Sequence, residues 1–165
     1  MEEENIYIEK IESFYELENK IDKEQLVLCD NVQNAFVIIH LKKSFQIGIA
    51  YYDYGIPIDF QFSKNNELLY LGVGKNFLCI DMKKNRILIN NVLQSVFYEL
   101  LCDLNKNYIC VICELDVYCY YLKKQQWRMG FRDIVVDYSI INDKLSILCD
   151  DGRQYMFYLE SGKIV

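Results

Sequence analysis

Few residues of this chain are of types that do chemistry, and the spacing of each tests what it does. His40 is the single histidine. It closes the apolar run Phe36-Val37-Ile38-Ile39, the setting of a core or strand histidine, whereas a Ser or Cys hydrolase needs a base beside its nucleophile. The seven cysteines are Cys29, Cys79, Cys102, Cys110, Cys113, Cys119 and Cys149. Only Cys110-x-x-Cys113 has metal-like spacing. A closed zinc site takes four ligands, no second pair is present, and positions three apart on a strand point to opposite faces. Gly72-Val73-Gly74-Lys75 has the composition of a phosphate loop, but no helical pattern follows to present its amides, so it reads as a hairpin turn. Asp150 and Asp151 sit side by side before Gly152, as turn formers do. No catalytic, metal or cofactor site is predicted.

The elements that hold these residues repeat. Asn65-Asn66-Glu67 followed by Leu68-Leu69-Tyr70-Leu71 leads to the strand Phe77-Leu78-Cys79-Ile80 and the turn Met82-Lys83-Lys84-Asn85. Asn105-Lys106-Asn107 followed by Tyr108-Ile109-Cys110-Val111 leads in the same way to Val117-Tyr118-Cys119-Tyr120-Tyr121 and Leu122-Lys123-Lys124. Asn142-Asp143-Lys144 followed by Leu145-Ser146-Ile147-Leu148 leads to Tyr155-Met156-Phe157-Tyr158 and Leu159-Glu160-Ser161-Gly162. A more worn copy pairs Leu26-Val27-Leu28-Cys29-Asp30 with Ala35-Phe36-Val37-Ile38-Ile39-His40-Leu41. Aligned on Leu41, Met82, Leu122 and Leu159, the copies lie 41, 40 and 37 residues apart, the interval of a propeller blade. Intervening stretches such as Phe60-Gln61-Phe62, Val96-Phe97-Tyr98 and Val135-Val136 supply a further strand each. The alignment puts Cys79 and Cys119 at a core-facing position shared with Ile38 and Met156, and puts Cys29 and Cys149 at matching strand ends. These thiols are expected to be reduced packing residues.

The closing segment Tyr158-Leu159-Glu160-Ser161-Gly162-Lys163-Ile164-Val165 resembles the hairpin of a β-propeller blade of the pyrroloquinoline-quinone or WD type. The resemblance covers four blade-like units but lacks their Trp-Asp and Gly-His signatures. It implies an all-β protein of four tandem β-hairpin or meander repeats, propeller-like, closed or open, in a single domain over 1–165. The repeats are expected at approximately 25–57, 58–95, 96–133 and 134–165. Tyr, Phe, Ile, Val and Leu dominate the apolar set and Ala35 and Ala50 are the only alanines, a palette for pleated surfaces.

Residues 1–24 differ, with nine acids against three lysines. Ile8, Ile11, Phe14, Tyr15 and Ile21 predict a short capping helix, with an edge strand as the other reading. Met1-Glu2-Glu3-Glu4 is acidic where a signal peptide is basic and then apolar, and no apolar run is long enough to span a bilayer. A cytoplasmic location without membrane association is expected.

Charge is arranged by turn. The turn after the first strand of the hairpin carries Asp30, then Glu114 and Asp116, then Asp150 and Asp151; the next turn carries Lys42-Lys43, Lys83-Lys84 and Lys123-Lys124. Equivalent turns of a repeat gather on one face, so an acidic end and a basic end are expected. The formal net charge is -6. In this general character the chain resembles bacterial immunity proteins, which implies a non-enzymatic module whose acidic residues bind a basic partner such as a toxin domain, for example a nuclease. One alternative is anion or RNA binding by the paired lysines, with Tyr120, Tyr121 and Trp127 for stacking; overall acidity makes nucleic acid the lesser reading. Another is an enzyme with an unrecognised site.

Overall fold

Runs of β-branched and aromatic residues form strands because each places one or both faces of a pleated ribbon against apolar neighbours. The computed structural model describes residues 6–42 and 44–165. The chain divides into two compact units, Met1–Gly55 and Ile56–Val165.

The first unit contains β1 (Tyr7–Ile11), α1 (Phe14–Lys20), β2 (Leu26–Leu28), β3 (Ala35–Lys42) and β4 (Phe45–Tyr51). They form one sheet in the order β1-β3-β4-β2. The N-terminal segment is therefore both an edge strand and a helix, while Glu2, Glu3 and Glu4 lie outside the described residues. Ser13 starts α1 by accepting the Glu16 amide at 3.2 Å, an ordinary N-cap. Leu17 and Ile21 then pack with Ile11, Ile38 and Ala50 over one face of the sheet. Gly48 makes this approach possible, since a Cβ there would lie 2.9 Å from Ile21 Cγ1. The first copy departs from the expected hairpin: β2 does not pair with β3 but runs parallel to β4 at the far edge, and β1 takes the place beside β3. Sequence neighbours pair in most sheets, and here the short β2 is displaced because β1 offers a longer antiparallel partner.

The second unit holds three antiparallel meanders. Strands β5 (Asp59–Phe62), β6 (Leu68–Val73), β7 (Asn76–Asp81) and β8 (Arg86–Val92) form the second sheet; β9 (Phe97–Cys102), β10 (Tyr108–Cys113), β11 (Asp116–Tyr121) and β12 (Lys124–Gly130) form the third; β13 (Val135–Ile141), β14 (Lys144–Cys149) and β15 (Gln154–Tyr158) form the fourth. In the fourth, Ile164 bridges to Phe157 at the outer edge. The repeat shows in the backbone as well. Asn66, Lys106 and Asn142, each two residues before the second strand of its sheet, all adopt left-handed φ values, of 56°, 53° and 56°.

Both faces of the third sheet are covered. Ile109, Val111, Cys113, Tyr118 and Tyr120 pack with Tyr70, Phe77, Cys79 and Phe97 between the second and third sheets. Cys110, Ile112, Val117 and Cys119 pack with Leu145, Ile147, Phe157 and Leu159 between the third and fourth. This explains why β10 reads as a nearly unbroken apolar run, as strands buried on two faces do. The polar tips of two β11 tyrosines beside it are bonded: Tyr120 Oη accepts from Asn91 at 2.7 Å and Tyr118 Oη from the Gln94 amide at 3.0 Å. Met156 corrects one expectation. Its alignment partners Cys79 and Cys119 face the next sheet, but Met156 is only half-buried, on the outer face of the fourth.

At Gly72 a Cβ would overlap the Phe97 ring, which is fully buried. Gly72→Ala is expected to cost about 1–3 kcal/mol or more through overpacking, read as a lowered midpoint of denaturant unfolding at unchanged slope.

Candidate functional site

Among the described residues no three His, Cys, Asp or Glu side chains converge to hold a metal, and no helix is long and apolar enough to cross a membrane. Cys110 and Cys113 fall in separate apolar clusters on opposite faces of β10. Six of the seven thiols are raised above the usual range. Burial pushes Cys29 and Cys79 up to about 12 and Cys102 up to about 11, and raises Cys113 and Cys149 as well. Cys110 is raised first by the Cys119 thiol, 3.9 Å away, and then by burial. Thiols so raised are poor nucleophiles. His40 is committed to Glu9, with Nε2 2.9 Å from its carboxylate across β1 and β3. That bond, and the Lys20 ammonium, hold the Glu9 carboxyl below the usual range.

The acidic turns divide into different roles. Asp116 is fully buried and is not available as a contact residue. Its carboxylate takes the Ser95 hydroxyl on one oxygen and Arg128 Nε and Nη2 on the other, at 3.1 and 2.9 Å. Ser95 in turn accepts the Leu115 amide at 3.0 Å, so this network fixes the β10–β11 turn. A charged residue beside a turn usually faces solvent; here Arg128, opposite Tyr118 on β12, supplies the partner that burial of Asp116 demands. Asp30, in the first unit, is half-buried at a left-handed φ of 65°, with one carboxylate oxygen buried and without a hydrogen-bond partner among the described residues.

Glu114, Asp150 and Asp151 stand together at one end of the second unit. The Val135 amide donates to the Glu114 carbonyl and the Asp150 amide to the Ile134 carbonyl, both at 2.8 Å. The start of β13 thus clamps the turns of the third and fourth sheets side by side. Asp133 lies within the same stretch, Leu115 and Ile134 are exposed among the carboxylates, and Asp151 is paired with Arg153 at 3.3 Å.

The lysines gather less cleanly. Lys83, Lys84 and Lys123 line one groove of about 320 Å³ with Glu67 and Asp81. Lys83 is ion-paired with Glu67, and Asp81 caps the turn by accepting the amides of Lys83 and Lys84 at 3.0 and 2.9 Å. Lys124 begins β12, Lys42 ends β3, and Lys43 lies outside the described residues. Of the stacking residues, Tyr120 is buried and Trp127 is engaged with Phe157, its ring 5.7 Å away. Tyr121 is exposed but packs edge-on against Tyr108.

No protein-family model and no curated protein matches the chain. Solved structures do. The RRP9 WD40 repeats share 10% identity with it over 68% of this chain and 38% of their own length, at a TM-score of 0.54. The β-propeller domain of Myceliophteria thermophila Cps50 (Swd1) shares 12% over 64% and 36%, at 0.51. Its fold is that of β-propeller repeats. Saccharomyces cerevisiae Sqt1 agrees, at 11% identity over 81% of this chain and 42% of Sqt1, with a TM-score of 0.56. The chain spans less than half the length of each of these, so the likeness describes blades and their packing.

The blade registers explain which residues sequence reasoning missed. Arg128 and Ser95 carry no motif, and they matter only because adjacent strands and the connection between blades bring them to Asp116. Arg128→Met, which strands the buried carboxylate, is expected to cost about 3–5 kcal/mol. Asp150→Asn is expected to stay within about 0.5 kcal/mol. Both are read by urea unfolding.

Proposed function

We propose that this chain is a non-enzymatic protein-binding module for a basic partner, in its most specific form an immunity protein that neutralises a basic toxin such as a nuclease. The observation that carries this reading is the clamping of the Glu114 and Asp150 turns by the backbone of Ile134 and Val135. It brings carboxylates from two blades onto one end around exposed Leu115 and Ile134. Apolar residues ringed by charge are the anatomy of an interface, and carboxylates that converge on it favour a cationic partner by steering its approach. A blade array suits this task because its turns vary freely while the strands stay packed. The elevated thiols and the engagement of His40 with Glu9 count against nucleophilic chemistry at these side chains. The lysine groove supports an anion or RNA grip less well, because Glu67 and Asp81 are interleaved with its cations.

The reading is tested with a basic nuclease domain encoded beside this chain's own gene. Co-expression should restore growth, and Glu114→Gln with Asp150→Asn and Asp151→Asn should slow association about tenfold at low salt without lowering the unfolding midpoint. Unchanged association would remove this end as the contact surface, and absence of any complex would remove the immunity form of the proposal.

A further inference from the structure

At the other end of the same strands lies a concave site with a different lining. A cavity of about 420 Å³ opens between the third and fourth blades, bounded by Asp103, Leu104, Tyr108, Asp143, Tyr158 and Glu160 among others, and among the described residues no Lys or Arg lines it. Three turns build it, and hydrogen bonds fix all three. Asp103 ties its own turn by accepting the amides of Asn105, Asn107 and Tyr108, at 3.2, 2.8 and 2.8 Å. The Leu159 amide donates to the Asp143 carbonyl at 2.9 Å, which joins the two turns of the fourth blade. The indole N–H of Trp127 donates to the Leu159 carbonyl at 2.7 Å, which anchors that junction to the third blade. The walls are therefore preformed, and little ordering is required of them on binding.

The lining specifies a cation. Asp103 spends its oxygens on its own turn, but Asp143 and Glu160 are exposed, and among the described residues neither forms an ion pair. Two phenol rings complete the walls. Tyr158 already holds the Lys144 ammonium 5.3 Å from its ring centre, and the Tyr108 phenol is raised above its usual range by burial and then by the nearby Glu160 carboxylate. Carboxylates from two turns beside the Tyr108 ring suit a planar, weakly hydrated guanidinium better than a compact ammonium. At the mouth, Leu104 is 93% exposed, the most exposed of the large apolar side chains among the described residues. A free small cation would leave Leu104 in water; a polypeptide that carries apolar neighbours beside the cation would cover it.

We propose that this cavity is a docking pocket for an arginine side chain of a partner protein, flanked by an apolar residue that covers Leu104. It is separate from the Glu114–Asp150 end and stands or falls independently of that surface.

The probe is the peptide acetyl-Ala-Leu-Arg-Leu-Ala-amide, titrated at low salt into isotopically labelled full chain and followed by the backbone amides. Saturable shifts are expected at Leu104, Tyr108, Asp143, Glu160 and Ser161. Affinity should fall about tenfold or more when the arginine is replaced by citrulline, which keeps the shape and removes the charge, a loss of about 1.4 kcal/mol. A comparable loss is expected for Asp143→Asn with Glu160→Gln, whose exposed side chains can be changed without altering the unfolding midpoint. Leu104→Ser should weaken the peptide but not free arginine amide. Glu114→Gln with Asp150→Asn should leave the titration unchanged, whatever it does to association with a nuclease. Absence of saturation, equal affinity for the citrulline peptide, shifts mapping elsewhere, or free arginine amide binding as tightly as the peptide would each overturn the proposal.

Discussion

The third blade is buried on both faces, and the rest of the second unit is arranged by that requirement. Residues of β10 and β11 alternate between two apolar layers, with Val111 and Tyr120 on one side and Ile112 and Cys119 on the other. A strand in this position cannot use the polar and apolar alternation of a solvent-facing sheet. Tyr120 and Tyr118 bring their hydroxyls to Asn91 and the Gln94 amide, whereas Tyr70 in the same layer buries its hydroxyl without a hydrogen-bond partner among the described residues. Aromatic packing extends the constraint outward: Phe77 meets Tyr120 at 4.6 Å between centroids on one side, and Trp127 meets Phe157 at 5.7 Å on the other. The blades flanking this sheet are thus set by side chains of a few strands, and the connecting turns are left free to carry charge.

That freedom is used unevenly. At one end, β13 begins between two turns and draws their carboxylates together, while Asp116, only two residues from Glu114, is withdrawn into the core by Arg128 and Ser95. At the other end, lysines and acids alternate around the second and third blades, whereas the gap between the third and fourth is lined by acids, phenols and neutral residues, with no Lys or Arg among the described residues. The same repeat therefore presents surfaces of different character. What differs is the partner each charged residue finds in three dimensions rather than the charge written in its turn.

The blade period, the turn positions and most of the core were legible in the sequence because they depend on local periodicity and on left-handed turn residues such as Asn66 and Asn142. The unbroken apolar run of β10 was legible as strand, but its two-sided burial follows only from the neighbouring sheets. Three things were not legible. The parallel β2 depends on competition with β1 for the edge beside β3, a choice between distant segments. The burial of Asp116 depends on an arginine twelve residues away across a hairpin. The acidic cavity joins Asp103, Asp143 and Glu160 from three turns that each look like an ordinary solvated loop. Position alone also misled at Met156, where the repeat continues in sequence but no further sheet of the second unit covers its outer face.

If two-sided burial of the third blade is the constraint on which the second unit depends, its central strands must be the last to open. Native-state hydrogen exchange measures this directly. The amides of Val111, Ile112, Tyr118 and Cys119 are predicted to exchange only through global unfolding, with the denaturant dependence of the whole transition, while those of β12 and β13 exchange through smaller openings. Exchange of the β10 and β11 amides by local opening, as fast as those of β13 and insensitive to denaturant, would contradict the account.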